Sequence, residues 1–337
     1  MIVKIIFYET VQRFLWRRCF QKTIDITHLQ NNQSAHRQFS NDEQGMQELL
    51  GWLTELQLDY TGILFCMEAT GLYCFPLTRF LADNVIDTWV EHAVQIKKAT
   101  ALARGKNDKV DSLRIATYAS KNLDRLRLWK PMNPALEKIK HFATLRERLV
   151  DTQKRLLVPI KEFEEMGSPE MTKMLTKSIK KSIDAIEKDL ANIEKKMLAI
   201  LQEDEVLVKK YVSAKSVVGI GFVTAINLMI YTNGFTQMND VKKLACYCGV
   251  APFKYESGTS VKGKTKVHFM ANKKLKCNLH MASLSAVKLD HDMKCYYERK
   301  VAEGKNKMSV LNAVRNKLLA RILACVNNEK EYVNKTA

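Results

Sequence analysis

The order of apolar patterns in the first 125 residues limits the possible folds more than any other feature of this sequence. Short runs rich in β-branched and aromatic residues, typical of buried strands, alternate with stretches in which apolar residues recur at helical spacing. Strand patterns lie at residues 2–8, 23–27, 36–39, 62–67 and 85–90. Helix patterns lie at 41–56, from 70 to 81, and from 108 onwards. Three strands are therefore expected first, with helices and strands alternating after them.

This succession is typical of a ribonuclease-H-like α/β domain, in which three antiparallel strands precede alternating helices and strands. We therefore predict a five-stranded mixed sheet with helices over residues 1–125. Residues 126–212 are predicted to form a helical, coiled-coil linker, and residues 213–330 a mainly helical domain. The predicted fold class is α/β plus α, in a chain of 337 residues that is long enough for more than one core.

Two long helical patterns make up the predicted linker. The first covers residues 135–164, and Gly167-Ser168-Pro169 separates it from the second. In the second, apolar residues alternate steps of four and three over three heptads: Ile179, Ile183, Ile186, Leu190, Ile193, Met197 and Ile200. That spacing predicts a coiled-coil seam, either in an antiparallel hairpin with the first helix or in a dimerisation arm. Ordinary packing of two helices within one subunit would explain the pattern equally well.

The charge balance favours a polyanionic partner. The chain has 54 Lys and Arg residues against 36 Asp and Glu residues, a formal net charge of +18. An excess of this size favours nucleic-acid binding, because each phosphate that is neutralised releases counterions. A solvated basic surface without a partner is the simpler alternative.

The cysteines and the apolar runs bear on the compartment. The eight cysteines include no Cys-x-x-Cys pair, which favours reduced thiols over disulfides or a zinc site. No apolar run approaches the roughly 20 residues that a membrane span needs, and the first residues lack the cleavage site of a signal peptide. We expect a cytoplasmic protein with no membrane partner.

Three carboxylates are expected to lie close together. Glu68 follows the strand pattern at 62–67, and Asp108 and Asp111 open the helix one βαβ step later, on one helix face. Such carboxylates would repel each other unless a hard cation such as Mg²⁺ lay between them. A metal there could activate an attacking oxygen and stabilise the leaving oxygen of a phosphodiester. The simpler alternative for the two aspartates is stabilisation of a helix N-terminus.

Basic residues accompany both candidate chemical segments, and we predict that they contact nucleic acid. They are Arg104, Lys106 and Lys109 beside the two aspartates, and Lys254, Lys262, Lys264 and Lys266 in a basic loop around Ser257. The two glycines of VVGIG (217–221) could place backbone N–H groups on a further phosphate, although Gly-x-Gly alone is a weak signal.

Five blocks of this sequence, in order, resemble the insertion-sequence-110 family of DEDD transposases. They are MEATGLY (67–73), GKNDKVDSLRIATYA (105–119), VVGIG (217–221), FTQMNDVKKLACYCGVAPFKYESGTSVKGK (235–264) and YYERKVAEGK (296–305). The resemblance implies a RuvC-like N-terminal domain, a coiled-coil linker and a C-terminal transposase domain with a catalytic serine. It also implies cleavage and exchange of double-stranded DNA, Mg²⁺ or Mn²⁺ as cofactor, a structured guide RNA, and a homodimer or homotetramer near the bacterial nucleoid.

The residues of this chain at the positions of the family's motifs can be compared with the family's site residues. Glu68, Asp108 and Asp111 would be the second, third and fourth acids of the metal site, and Ser257 the nucleophile. A serine hydroxyl is a weak nucleophile without a base or a metal, so the acids and the serine would have to act together. The surrounding lysines would offset the charge of a pentacovalent phosphate. Without the resemblance, Ser257 would be interpreted as a turn residue before glycine.

The resemblance is incomplete at the first acid. The family places it just after the first strand, where this chain offers Glu9 but no aspartate, and Asp25 lies too far along. Either Glu9 substitutes with its longer side chain, or this copy is impaired. Two alternatives to a transposase therefore stay open: a metal-dependent nuclease of the Holliday-junction type, in which Ser257 is dispensable, and a degenerate copy that binds DNA without catalysis.

Overall fold

The computed structural model describes residues 14–19, 22–30, 33–58, 62–69, 71–99, 108–257 and 261–334. The chain divides into two compact units, Met1–Pro131 and Met132–Ala337. The first combines a sheet with helices and the second is mainly helical, so the α/β plus α layout is confirmed. The finer division into three domains stays a prediction. No helix in the described ranges is long and apolar enough to span a membrane.

The described part of the first unit contains the predicted five-stranded mixed sheet. Its strands are β1 (Phe14–Cys19), β2 (Thr23–Gln30), β3 (Gln33–Ser40), β4 (Leu64–Glu68) and β5 (Asp87–Glu91). They lie in the order β3-β2-β1-β4-β5. The first three pair antiparallel, whereas β4 runs parallel to β1 and β5 runs parallel to β4.

The first described strand was not predicted. The predicted strand at 2–8 lies outside the described residues, and the central strand is Phe14–Cys19, where none was predicted. Its two adjacent arginines interrupt the apolar pattern from which a buried strand is predicted. Pairing with β2 on one side and β4 on the other stabilises it instead, and a single segment of sequence does not show such neighbours.

Helices cover both faces of this sheet. They are α1 (Glu43–Glu55), α2 (Phe75–Asp83), α3 (Ala93–Ala99) and α4 (Asp108–Lys121). Along β2, Ile24 and Ile26 are fully buried in the apolar core, which also contains Leu49 and Leu53 of α1. Thr27, which alternates with them, lies on the opposite face, where its hydroxyl is 2.5 Å from the Ser112 hydroxyl of α4. Helix α4 therefore packs on the face opposite to α1.

The second unit begins with two long helices, α5 (Pro134–Glu165) and α6 (Pro169–Gln202), joined by a short turn. Arg146 Nε donates to Glu194 Oε1 over 2.7 Å, and Gln153 Nε2 donates to Glu187 Oε1 over 3.1 Å, so the helices run antiparallel. Every residue of the predicted seam is buried or half-buried. A hairpin within one chain is therefore present, and its further assignment as a coiled coil stays a prediction.

The remaining elements form one helical core and one small sheet. They are α7 (Glu205–Lys215), α8 (Phe222–Thr232), α9 (Val241–Tyr247), β6 (Phe253–Ser257), β7 (Val261–Lys266), α10 (Lys273–Leu289), α11 (His291–Ala302) and α12 (Lys307–Asn327). Leu228 of α8, Leu279 of α10 and Leu318 of α12 are fully buried in this core, together with Leu136 at the start of α5.

The pair β6–β7 corrects a second prediction, because an irregular basic loop was expected at this place. The two strands form an antiparallel two-stranded sheet. The signal was available in FKYES and VKGKTK, where charged residues occupy every second position, as they do along a half-exposed strand. A loop was predicted instead because so many lysines in a short segment are typical of exposed, irregular backbone.

Candidate functional site

Two carboxylates lie side by side at the carboxyl edge of the first unit's sheet. Glu68 is the last residue of β4, as predicted, and its Cα partner in the parallel ladder is Glu91, the last residue of β5. Neighbouring strands are about 4.8 Å apart, and partners in a parallel ladder share a face. Both residues are half-buried. Glu91 was not among the predicted acids, although it ends its strand as Glu68 does.

Helix α4 packs against this pair. The Tyr118 hydroxyl donates to Glu91 Oε2 over 3.3 Å, and the Tyr118 and Trp89 ring centroids are 5.5 Å apart. Burial, and then the charge of Glu91, raise the pKa of Tyr118 to about 12. The phenol therefore stays protonated at neutral pH and remains a donor to the carboxylate. The helix that bears the two predicted aspartates thus lies on the face of the sheet that carries Glu68 and Glu91.

The aspartates open α4 as predicted. Asp108 is its first residue, and Asp111, one turn later, accepts from Arg114 Nη1 over 2.9 Å. The side chain of Asp108 lies outside the described part of the structure, as do Arg104 and Lys106, while Lys109 is exposed. Among the described side chains, no three His, Cys, Asp or Glu residues form a group that could hold a metal ion. The three-acid metal site therefore stays a prediction.

The donors at this edge are chemically suited to a hard cation. The carboxylates of Glu68 and Glu91 offer only oxygen, which Mg²⁺ and Mn²⁺ prefer. Two thiols lie near them. Cys66 in β4 is fully buried, and burial raises the pKa of this thiol, so it is not a thiolate ligand at neutral pH. The buried Cys74 donates its thiol to the Glu68 carbonyl oxygen over 3.3 Å. The two carboxylates are thus of the chemical type that the implied metal prefers, while the described side chains form no three-residue group that could hold it.

No carboxylate of the central strand joins this group. Strand β1 has the sequence FLWRRC, and its backbone register places Arg17 opposite Met67 and Arg18 opposite Asp25. Position 18 is thus the next step of the β1–β4 ladder, beside Glu68. Glu9, the substitute considered for the missing first acid, lies outside the described residues.

Asp25 on β2 is committed to other contacts. It is only 4 % exposed, and its carboxylate lies 3.2 Å from His36 Nε2 and accepts from Gln38 Nε2 over 3.1 Å. Both partners belong to β3. These contacts hold Asp25 within the sheet and support the expectation that it is not the first acid.

In the second unit, the hairpin β6–β7 carries the predicted serine. Ser257 is the last residue of β6, and its Cα partner is Val261; Glu256 pairs with Lys262. Lys254 and Lys266 are exposed. The backbones of Lys262 and Lys264 lie on β7, whereas the side chains of these two lysines and of Ser257 are outside the described ones. The four lysines are therefore all on the same small sheet as the serine.

The glycines of VVGIG have different structural roles. Gly219, between α7 and α8, has φ +92°, and a Cβ there would lie 2.5 Å from the Ala282 carbonyl oxygen of α10. Gly221 is the N-cap of α8, with open space where a Cβ would be. Close packing of the turn on α10 therefore accounts for Gly219, and phosphate binding at this turn stays a prediction.

Two family models match this chain. A model of DEDD transposases of the IS110 family matches residues 22–163, which include Glu68, Asp108 and Asp111. A second, described as Transposase IS116/IS110/IS902 family, matches residues 213–298, which include Ser257. The first match begins after β1, the strand without a carboxylate.

Two similar proteins match nearly the whole chain, and a third matches about a third of it. A pilin gene-inverting protein of Moraxella bovis and one of Moraxella lacunata are each 24 % identical over 315 residues, which is 93 % of this chain and 95 % of theirs. An uncharacterized 43.6 kDa protein of insertion element IS110 from Streptomyces coelicolor is 26 % identical over 117 residues, 35 % of this chain and 29 % of its own. With one family model matched in each unit and relatives aligned over nearly the whole chain, the chain belongs to the IS110 family of transposases.

Proposed function

We propose that this protein cleaves and exchanges DNA strands through a serine–phosphate linkage, with Ser257 as the nucleophile and the acids of the first unit holding the metal. The observation that carries the proposal is the pair of family matches, one over the predicted acids and one over the predicted serine. The relatives named as pilin gene-inverting proteins support a reaction that rearranges DNA. In this proposal the first unit has the RuvC-like, ribonuclease-H-like fold.

Each residue has a defined chemical task. Glu68, Asp108 and Asp111 would hold Mg²⁺ or Mn²⁺, with Glu91 beside Glu68 on the neighbouring strand. The bound metal would supply activation of the attacking oxygen and stabilisation of the leaving oxygen. The Ser257 oxygen would form a bond to phosphorus while the bond from phosphorus to a sugar oxygen breaks, and the sugar leaves as a hydroxyl. The serine ester conserves the phosphodiester, so a second hydroxyl can attack it and restore Ser257.

The proposal includes partners of this reaction. Double-stranded DNA of the element ends and target would be the substrate, and a structured RNA from the element would select it. The helical hairpin α5–α6 would act as a coiled coil within each subunit, and the subunits would form a homodimer or homotetramer. The net charge of +18 supports polyanionic partners of both kinds.

Substitution of the serine tests the proposal most directly. Ser257→Ala should abolish covalent protein–DNA adducts, measured by denaturing electrophoresis of labelled DNA, and leave DNA binding intact. The loss of one hydroxyl from a strand end should change stability little. Ser260→Ala, three positions later in the sequence, is the matched control and should retain adducts. Adducts that persist in Ser257→Ala would contradict the serine, and cleavage without adducts would favour the metal-dependent nuclease.

A degenerate copy that binds DNA without catalysis is the second candidate, because β1 has no carboxylate and the DEDD match begins only after it. By register, position 18 is the place in β1 next to Glu68. If the copy is degenerate, Arg18→Asp should produce adducts that the unmodified chain does not form. Arg17→Asp, one step away and therefore on the other face, should not. Adduct formation by the unmodified chain would exclude this candidate.

A further inference from the structure

An exposed aromatic surface lies at the base of the serine hairpin. This surface encloses a depression of about 570 Å³. Its lining residues are Phe253 and Lys254 of β6, Gly263 and Lys266 of β7, and Val267, His268 and Phe269, which follow β7. We name it the aromatic–lysine surface. None of these lining residues is acidic.

Two phenylalanines of this surface are unusually open to solvent. Phe253 is 50 % exposed and Phe269 is 63 % exposed. The rings of His268 and Phe269 lie with their centroids 4.7 Å apart at an interplanar angle of 31°. Exposed aromatic rings that are grouped in one place mark an interaction surface more often than a chance arrangement.

Positive charge adjoins the rings. Phe253 and Lys266 are Cα partners across the hairpin, and Lys254 follows Phe253 along β6. Both lysines are exposed. Flat rings interleaved with cations are the combination by which proteins bind single-stranded nucleic acid, since bases stack on the rings while the cations neutralise phosphates. An apolar protein partner would explain the rings but not the two lysines among the lining residues.

We propose that the aromatic–lysine surface stacks an unpaired nucleobase of the strand that reaches Ser257, with Lys254 and Lys266 on the flanking phosphates. This inference rests on the proposed function and adds to it a requirement that the strand is unpaired next to the serine. Four residue steps separate Phe253 from Ser257 along β6, or about 13 Å. A single strand lying along the hairpin would therefore pass from the rings to the serine.

A tryptophan introduced into the second unit can be followed by fluorescence. The four native tryptophans, Trp16, Trp52, Trp89 and Trp129, all precede that unit, and their emission is subtracted with the parent protein. In the full-length chain, Phe269→Trp adds an indole to the surface. Its emission, after subtraction of the parent protein, should change when a single-stranded deoxyoligonucleotide of mixed sequence is added. A blunt duplex of the same sequence should change it much less, because its bases are already stacked.

Substitutions separate stacking from apolar contact. The double variant Phe253→Leu, Phe269→Leu keeps apolar side chains but removes both flat rings, and should bind the single strand about tenfold more weakly. The double variant with tyrosine at both positions should bind like the parent. Leu289→Ala, at a side chain of the same unit that is 72 % exposed, is the control for loss of an exposed apolar group. Equal loss for the single strand and the duplex would overturn base stacking.

The dependence of affinity on salt concentration tests whether Lys254 and Lys266 contact phosphates. The leucine variant should keep the parent's slope of log affinity against log salt, since it removes no charge. Lys254→Gln with Lys266→Gln should reduce the magnitude of that slope by about 1.4 for a single strand. An unchanged slope in the glutamine variant would overturn the phosphate contacts.

The outcomes distinguish this inference from the proposed function. If the parent forms adducts at Ser257 while the leucine variant binds the single strand as tightly as the parent, the inference fails and the proposed function stands. If Ser257→Ala retains adducts while the leucine variant loses single-strand binding, the proposed nucleophile fails, and base stacking on the aromatic–lysine surface stands without a link to Ser257. If the parent binds no nucleic acid, both fail.

Discussion

At the scale of single residues, the hydrogen bond from Tyr118 to Glu91 has a measurable pH signature. The pKa of Tyr118 is raised to about 12 in the folded chain, from an ordinary value near 10. A raised pKa stabilises the fold fully below about pH 10, and that stabilisation is lost as the pH rises towards 12, because the unfolded chain ionises first. Tyr118→Phe should therefore flatten the decline in stability across this window.

The measurement is the urea midpoint of tryptophan fluorescence at several pH values between 8 and 12. At pH 8, Tyr118→Phe should cost about 1 kcal/mol, since Glu91 loses a donor. Tyr73→Phe, at an exposed ring of the same unit, should decline with pH as the parent does. A decline in Tyr118→Phe as steep as in the parent would show that other groups control the alkaline transition.

Residue-level interpretation of the sequence succeeded where the signal was local. Glu68 was predicted to follow a strand and Asp108 to begin a helix, and they are the last residue of β4 and the first of α4. Both positions follow from a change of apolar period within a few residues. Glu91 was missed because its partnership with Glu68 depends on strand register, which no local pattern contains.

At the scale of elements, the turn between α7 and α8 depends on a single glycine. Gly219→Ala would place a Cβ 2.5 Å from the Ala282 carbonyl oxygen and force a non-glycine residue to φ +92°. The two effects together should lower the free energy of unfolding by about 2–4 kcal/mol. Gly221→Ala is the matched control, because its Cβ would meet nothing within 4 Å. It should cost about 1 kcal/mol or less, as measured by urea unfolding followed by circular dichroism.

Predictions of elements were accurate where patterns were long and failed where they were short. Both helices of the α5–α6 hairpin and the break between them were predicted, because the apolar repeat extends over several turns. Strand β1 was not, since Arg17 and Arg18 interrupt it and only its neighbours on both sides make it a strand. The β6–β7 hairpin was missed because lysines alternate with small and apolar residues, and their charge favoured a loop interpretation.

At the scale of the whole molecule, the two units have separate cores and should unfold in separate transitions. Tryptophan fluorescence reports the first unit alone, because all four tryptophans lie there. Far-UV circular dichroism is dominated by the long helices of the second unit. The two probes should therefore give different urea curves, since two-state behaviour holds for single domains and not for pairs of them.

Gly219→Ala tests whether the two units unfold separately, because the substitution destabilises the second unit. It should move the circular-dichroism curve to lower urea and leave the fluorescence midpoint unchanged. A parallel shift of both curves would show that the units unfold as one cooperative body. The same fluorescence assay can then be used to show that variants at Glu68 or Arg18 fold before their chemistry is compared.

The two-stranded sheet β6–β7 carries the proposed nucleophile, and its low stability bears on when Ser257 becomes ordered. Among the described strands, β6 and β7 pair with each other and with no third strand, and two-stranded hairpins are marginally stable on their own. Amide hydrogens of residues 253–257 and 261–266 should therefore exchange with deuterium long before those of α12, whose core-facing side chains are buried. A bound strand would supply the missing order and slow that exchange. Binding of the DNA that Ser257 is proposed to cut would then order the serine. The hairpin would hold the nucleophile in place only when substrate is bound.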